Sequence, residues 1–363
     1  MKDKDDRDHV VSAGSRIFSN RSEEELQTSL RKSNHIKICL EQDVQFTKSN
    51  GFEMYELKHA PLPEIDLFQI DTSCTFCNKK FSAPFLIEAM TGGEPESYKI
   101  NKNLAIAAQQ CGIGMGLGSQ RAMLLTPEFE YTYQVRNFAP DIFLMGNIGA
   151  SQLKEFSVSE IKRIVEAVEA DALAIHLNAT QELCQPEGNT DWTGILLKIK
   201  EISANINLPV IVKETGSGLT ADAVRALESS GIEGIDIGGA GGTSWAKVEH
   251  FRGSAAAERF LEWGLPTAES LVECAHAVDI PIIASGGIRN GIESVKAIAL
   301  GACLIGMALP FLRPATISVQ AVADKIESLK KELIRTMFLI GTQHLGEIDK
   351  RKLRPSFATI RTF

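Results

Sequence analysis

No stretch of the chain approaches the ~20 continuous apolar residues that a membrane-spanning helix needs, because glycine or a charged residue interrupts every hydrophobic run. A soluble protein is expected. The first residues, Met1 to His9, are nearly all charged, and no apolar stretch follows that would serve as a secretory leader. Positive charge is not in surplus either. With 38 Lys and Arg against 46 Asp and Glu, the net charge of −8 gives no basic field to attract nucleic acid or an anionic membrane surface. An anionic ligand would need a local cluster of cations. The seven cysteines, odd in number and scattered, do not form a disulfide framework and point to a reducing, cytoplasmic address.

What is present is a large apolar reserve. Hydrophobic residues make up 44% of 363, enough for one main domain with a sizeable core. Residues 1–22 are polar and charged and read as a mobile arm; residues 23–363 read as a single domain. Ser22-Glu-Glu-Glu is a capping-box pattern opening a short helix that ends near Asn34, with Arg31, Lys32 and His35 at its exit. Short β-rich runs at Phe52 to Leu57 and Leu67 to Phe81, separated by Pro61 and Pro63, predict a small hairpin layer plugging the floor of the main fold.

From Pro84 onward one unit recurs, a short apolar run ending in glycine or polar residues and then a helical stretch. The runs are Phe85 to Met90, Ile113 to Gly118, Ile142 to Asn147, Ala172 to Asn178, Val210 to Glu214, Gly234 to Gly238, Ile282 to Ser285 and Cys303 to Met307. From Phe85 to Cys303 is 218 residues over seven intervals, about 31 each, as ~250 residues shared among eight βα units require. The fold class is therefore α/β, a (β/α)8 TIM barrel with a small N-terminal helix and hairpin layer. Between runs six and seven, Thr243 to Gly264 is longer than its siblings and reads as a mobile lid. Val319 to Leu339 reads as a helix, and the basic stretch Lys350 to Arg361 as surface or subunit contact.

In such barrels function sits at the C-terminal ends of the strands. Here those ends supply Thr91, Ser119, Gln120, Arg121, Asn147, His176, Asn178, Gln181, Glu182, Lys213, Thr243, Ser244 and Ser285. Gly238-Gly-Ala-Gly-Gly-Thr243, Ser285-Gly-Gly-Ile-Arg289 and Gly306-Met-Ala308 end runs six to eight, where exposed amides and a helix N-terminus suit a cofactor phosphate. Lys213 ends an apolar run and must meet an anion, either Glu214 or a neighbouring acid or the electron-rich edge of a flavin. Met90-Thr-Gly-Gly93 adds backbone donors on the opposite side. Strand alternation puts His176 and Asn178 on one face, His176 being either a satisfied core group or a catalyst. Glu182, beyond the strand end, would hold Mg2+ against a diphosphate. Arg31, Lys32 and His35 are either a solvated patch or, with Arg121, the cations that a diphosphate demands. Cys74-Thr-Phe-Cys77 is one isolated pair and reads as structural thiols rather than zinc ligands.

Arg31-Lys-x-x-His35, Ala89-Met-Thr-Gly-Gly93, Gly116-Leu-Gly-Ser-Gln-Arg121, Asn147-Ile-Gly149, His176-Leu-Asn-x-x-Gln-Glu182, Val212-Lys-Glu214, Asp236 to Trp245 and Ser285 to Arg289 together resemble type II isopentenyl-diphosphate isomerase. They cover residues 31 to 310 in order. The basic N-terminal motif and the His-Leu-Asn-x-x-Gln-Glu run discriminate, since the late-strand motifs are shared with other FMN barrels. The resemblance implies FMN, NADPH to reduce it, Mg2+, a homo-oligomer (tetramer or octamer) and redox-neutral interconversion of isopentenyl and dimethylallyl diphosphate. By motif, Ala89, Met90, Thr91, Ser119, Asn147, Lys213 and Thr243 would contact FMN, with Gly286, Gly287, Gly306, Met307 and Ala308 at its phosphate. Arg31, Lys32, His35, Ser119, Arg121, Asn178 and Gln181 would surround the substrate, Glu182 would bind Mg2+, and Gln181 and His176 are the catalytic candidates. Pro186 to Thr190 departs from the Asp-Arg that the family often shows, which puts loop contacts near Asn189 in question.

The implied chemistry is proton transfer on an unactivated alkene, with the flavin N5 donating to substrate C4 and either flavin or Gln181 taking the C2 proton. An FMN-dependent oxidoreductase is the alternative on the same scaffold. Against it, no His stands beside the glycines in Ser285 to Asn290, where 2-hydroxy-acid oxidases carry one. Nor does a nucleophilic Cys follow the sixth-strand glycines, as in nucleotide dehydrogenases; this chain has Thr243-Ser-Trp245. A non-catalytic flavin-binding scaffold would not need so many polar strand ends.

Overall fold

The computed structural model describes residues 30–356. The arm expected at 1–22 and the helix start at Ser22 lie outside them. Eight parallel strands close into a barrel: β4 (Phe85–Ile87), β5 (Gly114–Gly116), β6 (Leu144–Gly149), β7 (Ala172–Leu177), β8 (Val210–Glu214), β9 (Gly234–Asp236), β10 (Ile282–Ser285) and β11 (Leu304–Met307). Each falls within or across one of the eight apolar runs. The barrel closes where β11 pairs with β4, Met307 opposite Ile87.

Helices alternate with the strands because each presents an apolar stripe to the sheet. In α4 (Val158–Ala167) that stripe is Ile161, Ile164 and Val165, and Ser157 and Glu160 start the helix with a reciprocal capping box. In α7 (Ala221–Glu228) it is Val224 and Leu227. The tail helix α12 runs Val319–Leu339, as its periodicity predicts.

The antiparallel hairpin of β2 (Cys74–Phe76) and β3 (Lys79–Phe81) closes the floor. Phe76 and Phe81 pack with Leu86, Phe143, Ile211, Ile283 and Leu304 in a core of their own inside the barrel. Cys74 lies in β2, and Cys77 in the two-residue turn, where Cys77 and Asn78 both have positive φ.

Two expectations are corrected. The first β-rich run does not join this hairpin: β1 (Tyr55–Leu57) pairs with β12 (Leu353–Pro355) near the C-terminus, so that part of the basic tail is a strand partner. The first helix, α1, continues to residue 41 rather than stopping near Asn34, because Ile36, Cys39 and Leu40 reach the core. The long segment after β9, expected as a mobile lid, carries elements of its own. It holds α8 (Trp245–Phe251) and a 3-10 turn at Ala255–Phe260, and Ser244 N–H donates to Val44 O at 2.8 Å. No helix among the described residues is long and apolar enough to cross a membrane.

Candidate active site

One cavity opens at the C-terminal ends of the strands, and every site residue predicted from the sequence lines it. β4 and the residues after it supply Ala89, Met90 and Thr91; the turn after β5 supplies Ser119 and Arg121; β6 and β7 supply Asn147 and His176. Asn178, Gln181 and Glu182 come from the start of α5 (Ala179–Cys184), Lys213 from β8 and Thr243 from the loop after β9. Gly286, Gly287, Gly306, Met307 and Ala308 come from β10, β11 and the turns after them, and α1 brings Arg31, Lys32 and His35 over the mouth. Two polar strand-end residues are absent from the lining. Gln120 is wholly buried and bridges Ile164 O and Asn147 N, and Ser244 caps α8.

On the late-strand side the backbones approach so closely that only glycine fits. Gly286 has φ 107°, and a Cβ there would lie 2.1 Å from Gly239 O. At Gly242 a Cβ would meet Gly287 N at 2.6 Å. The helix after β11, α11 (Leu309–Ile317), begins at Ala308 with no side-chain cap, whereas α10 (Gly291–Ala299) is capped by Asn290. Uncapped amides facing a glycine cradle suit a phosphate dianion.

The inner end of the cavity is charged. Register places His176 of β7 opposite Lys213 of β8, and Lys213 opposite Asp236 of β9. Lys213 Nζ lies 3.6 Å from Glu88 Oε2, 3.5 Å from Asp236 Oδ2 and donates to Glu214 O at 2.9 Å. Burial alone would lower the Lys213 pKa, but Asp236 and Glu88 outweigh it and raise the value, so the ammonium is charged. The anions that meet Lys213 within the protein are therefore neighbouring acids. The Glu214 carboxylate turns away and accepts from the amides of Thr215, Gly216 and Ser217.

His176 Nδ1 lies 2.7 Å from Asn147 Oδ1. An amide oxygen only accepts, so Nδ1 carries the proton and Nε2 is bare. Burial, Lys213 and Lys32 depress its pKa to about 3, so the ring is neutral near pH 7.

The outer wall is a polar network. Glu182 accepts from Ser151 Oγ at 3.1 Å, Asn178 Nδ2 at 3.1 Å and Asn189 N at 2.7 Å, so the divergent loop still closes on this carboxylate. Asn178 also donates to Gln181 Oε1 at 3.2 Å, and Gln181 Nε2 donates to Glu249 Oε1 at 3.4 Å. His35 Nε2 sits 2.9 Å from the same Glu249 oxygen, and Arg252 pairs with both Glu249 and Glu187. Burial would raise the Glu249 pKa; the bonds and charges of His35 and Arg252 carry it below the ordinary value. Lys32 donates to Gly92 O, to Ser119 O at 2.9 Å and to Tyr133 Oη at 2.8 Å, which ties α1 to the β4 and β5 ends. Arg31 lies 3.9 Å from Glu187 and Arg121 3.4 Å from Glu155.

The family model for FMN-dependent dehydrogenases matches residues 144–355. Among curated proteins, the isopentenyl-diphosphate delta-isomerase of Pyrococcus abyssi is 46% identical over 340 residues, covering 90% of this chain and 92% of that one. The chain belongs to the isopentenyl-diphosphate delta-isomerase family. The Nostoc sp. member is 44% identical, covering 89% and 94%. The FMN-dependent dehydrogenase match is consistent with the FMN-dependent, type II class of isomerase. Solved structures share the fold alone. The flavin-binding domain of baker's yeast flavocytochrome b2 aligns with TM-score 0.67 at 19% identity, covering 87% of this chain and 79% of that one. (S)-mandelate dehydrogenase aligns with TM-score 0.65 at 14% identity, covering 89% and 98%.

The residues of this isomerase-family chain fit FMN on two observations, the glycine cradle that a Cβ would fill and the buried ammonium at the cavity floor. Sequence reasoning missed Glu88 and Asp236 below Lys213, and Glu249, Arg252 and Glu187 in the outer wall. A signal for the first two was present, since Phe-Leu-Ile-Glu and Gly-Ile-Asp-Ile each set an acid inside an apolar strand.

Proposed function

We propose that this chain interconverts isopentenyl and dimethylallyl diphosphate on bound FMN, with no net oxidation or reduction. When reduced, FMN supplies an acid–base centre and an electron-rich face beside the alkene. Lys213 would supply the fixed cation that favours the ring's anionic form. The glycine cradle at 286–287 and the start of α11 would hold the cofactor phosphate. Arg31 and Arg121 would take the substrate diphosphate by their planar forks, and Lys32 fixes the helix that carries Arg31. Glu182 would share Mg2+ with that diphosphate; one carboxylate plus substrate phosphates is a normal Mg2+ site. Gln181, gripped by Asn178 and Glu249, would orient at C2. His176 would hold its neutral ring toward the cofactor. NADPH as reductant, a tetrameric or octameric assembly and a cytoplasmic address complete the proposal.

The observation that carries this reading is the meeting of glycine cradle, buried lysine and arginine rim in one cavity. The oxidoreductase alternative shares the cradle and the lysine; Ser285 to Asn290 carries no His, which a 2-hydroxy-acid oxidase would have there. A reductant count separates the two. In sealed anaerobic reactions, one NADPH, two electrons, per site should support many turnovers of isopentenyl diphosphate. Consumption of one NADPH per product would instead place the chain with the oxidoreductases.

A further inference from the structure

Lys213 has two acids beneath it, and their geometry is not that of two carboxylates. Glu88 Oε1, Glu88 Oε2 and Asp236 Oδ2 are buried without a hydrogen-bond partner, and Lys213 is 3.5 to 3.6 Å from its two acids, beyond close pairing. Glu88 is 4% exposed and Asp236 0%. Ionised carboxylates only accept, so two of them gathered on one ammonium in a dry interior would both be left wanting a donor. A proton on one supplies it. Ser285 Oγ, from β10, donates to the other Asp236 oxygen, so Asp236 is the acid held as the anion and Glu88 the one left to carry the proton. Gly306 of β11 completes the pocket: a Cβ there would lie 2.1 Å from Glu88 Oε1, so the site is shaped around this side chain.

We propose that Glu88 and Asp236 share one proton beneath Lys213, and that this dyad sets the charge which Lys213 presents to the bound flavin. With one proton the cluster of Glu88, Asp236 and Lys213 is neutral; without it the cluster is an anion. The other ionisable groups facing it are His176 from β7, which is neutral, and Glu214, which burial raises to about 7 against the pull of three amides and of Lys213. Burial and then Asp236 hold Glu88 up to about 8, with Lys213 opposing, so the proton is present at neutral pH. Glu88 thereby becomes a positioning residue acting through Lys213. Two-electron reduction of FMN to its anion takes up one proton on the ring. Above about pH 8 the new negative charge raises the proton affinity of the ionised Glu88, and a second proton enters there. That coupling rests on FMN lying over Lys213; the shared proton does not.

The test has two arms. In apoprotein carrying Glu214→Gln, which removes the other raised buried carboxyl, the infrared carbonyl band of a protonated carboxylic acid should be present at pH 7, fade near pH 8 and be missing once Glu88→Gln is added. In Asp236→Asn the band should fade at lower pH, because the anion that holds the proton is gone; this variant serves if Glu88→Gln fails to fold. In the holoenzyme slightly above pH 8, dithionite reduction in weak buffer with a pH indicator, after subtraction of the protons that dithionite itself releases on oxidation to sulfite, should take up more than one proton per two electrons in wild type, and one in Glu88→Gln. No carboxylic-acid band at pH 7, or a band that survives Glu88→Gln, overturns the shared proton. A normal band with equal proton uptake in the two proteins overturns the coupling to the flavin. An apoprotein band in a chain that binds no FMN upholds the dyad and overturns the cofactor reading alone.

Discussion

Gly286→Val should purify without flavin colour and bind added FMN at least ~100-fold more weakly than wild type, a loss of about 3 kcal/mol. Two effects combine. Gly286 sits at φ 107°, which a β-branched residue reaches only with strain of roughly 1–3 kcal/mol. Its Cβ would also stand 2.1 Å from Gly239 O and 2.6 Å from Gly239 N, both backbone atoms that cannot swing aside. The turn after β10 must part from the turn after β9, and the phosphate cradle opens. Gly253→Ala is the control, since Gly253 has φ 99° but nothing within 4 Å of the added carbon. It should keep FMN affinity near wild type. FMN titration by absorbance reads both variants, with circular dichroism to establish folding; equal affinity in Gly286→Val contradicts the cradle.

The second large effect is expected at the cavity floor. Lys213→Met leaves Glu88 and Asp236 without the ammonium that sits within 4.0 Å of both. Removing one member of a buried ionic cluster costs about 3–5 kcal/mol, because the remaining charge is stranded in low dielectric. Urea unfolding of the apoprotein should show that loss, and Asp236→Asn in the same chain should restore part of it. Isomerase turnover should fall at least ~100-fold, since the double variant repairs packing but not the cation that the cofactor needs. Unchanged stability in Lys213→Met would show that the buried Asp236 carboxylate does not depend on the Lys213 ammonium.

The barrel was legible because each strand ends where its composition changes. Val210-Ile-Val-Lys-Glu214 is the plainest case: β-branched residues form the strand, and the first charge marks the cavity. The mouth residues were legible for the same reason, together with motif order. Long-range pairings were not. β1 and β12 join Tyr55 to Pro355, and neither three-residue strand carries a pattern that names its partner. The helix after β9 was hidden by its loop-like length, although Ser244 at its start is an ordinary N-cap. The outer wall was harder still. Glu249 gains meaning only beside His35, Gln181 and Arg252, three residues from three parts of the chain.

The central claim is that a reduced flavin in this cavity moves a proton on a five-carbon diphosphate. Proton NMR of isopentenyl diphosphate with the protein, FMN, NADPH and Mg2+ under anaerobic conditions tests it most directly. The account predicts that the two methyl signals of dimethylallyl diphosphate grow in while the vinylidene protons of the substrate decline to an equilibrium mixture. A spectrum that stays that of isopentenyl diphosphate, from protein that is yellow and reduced, would contradict it.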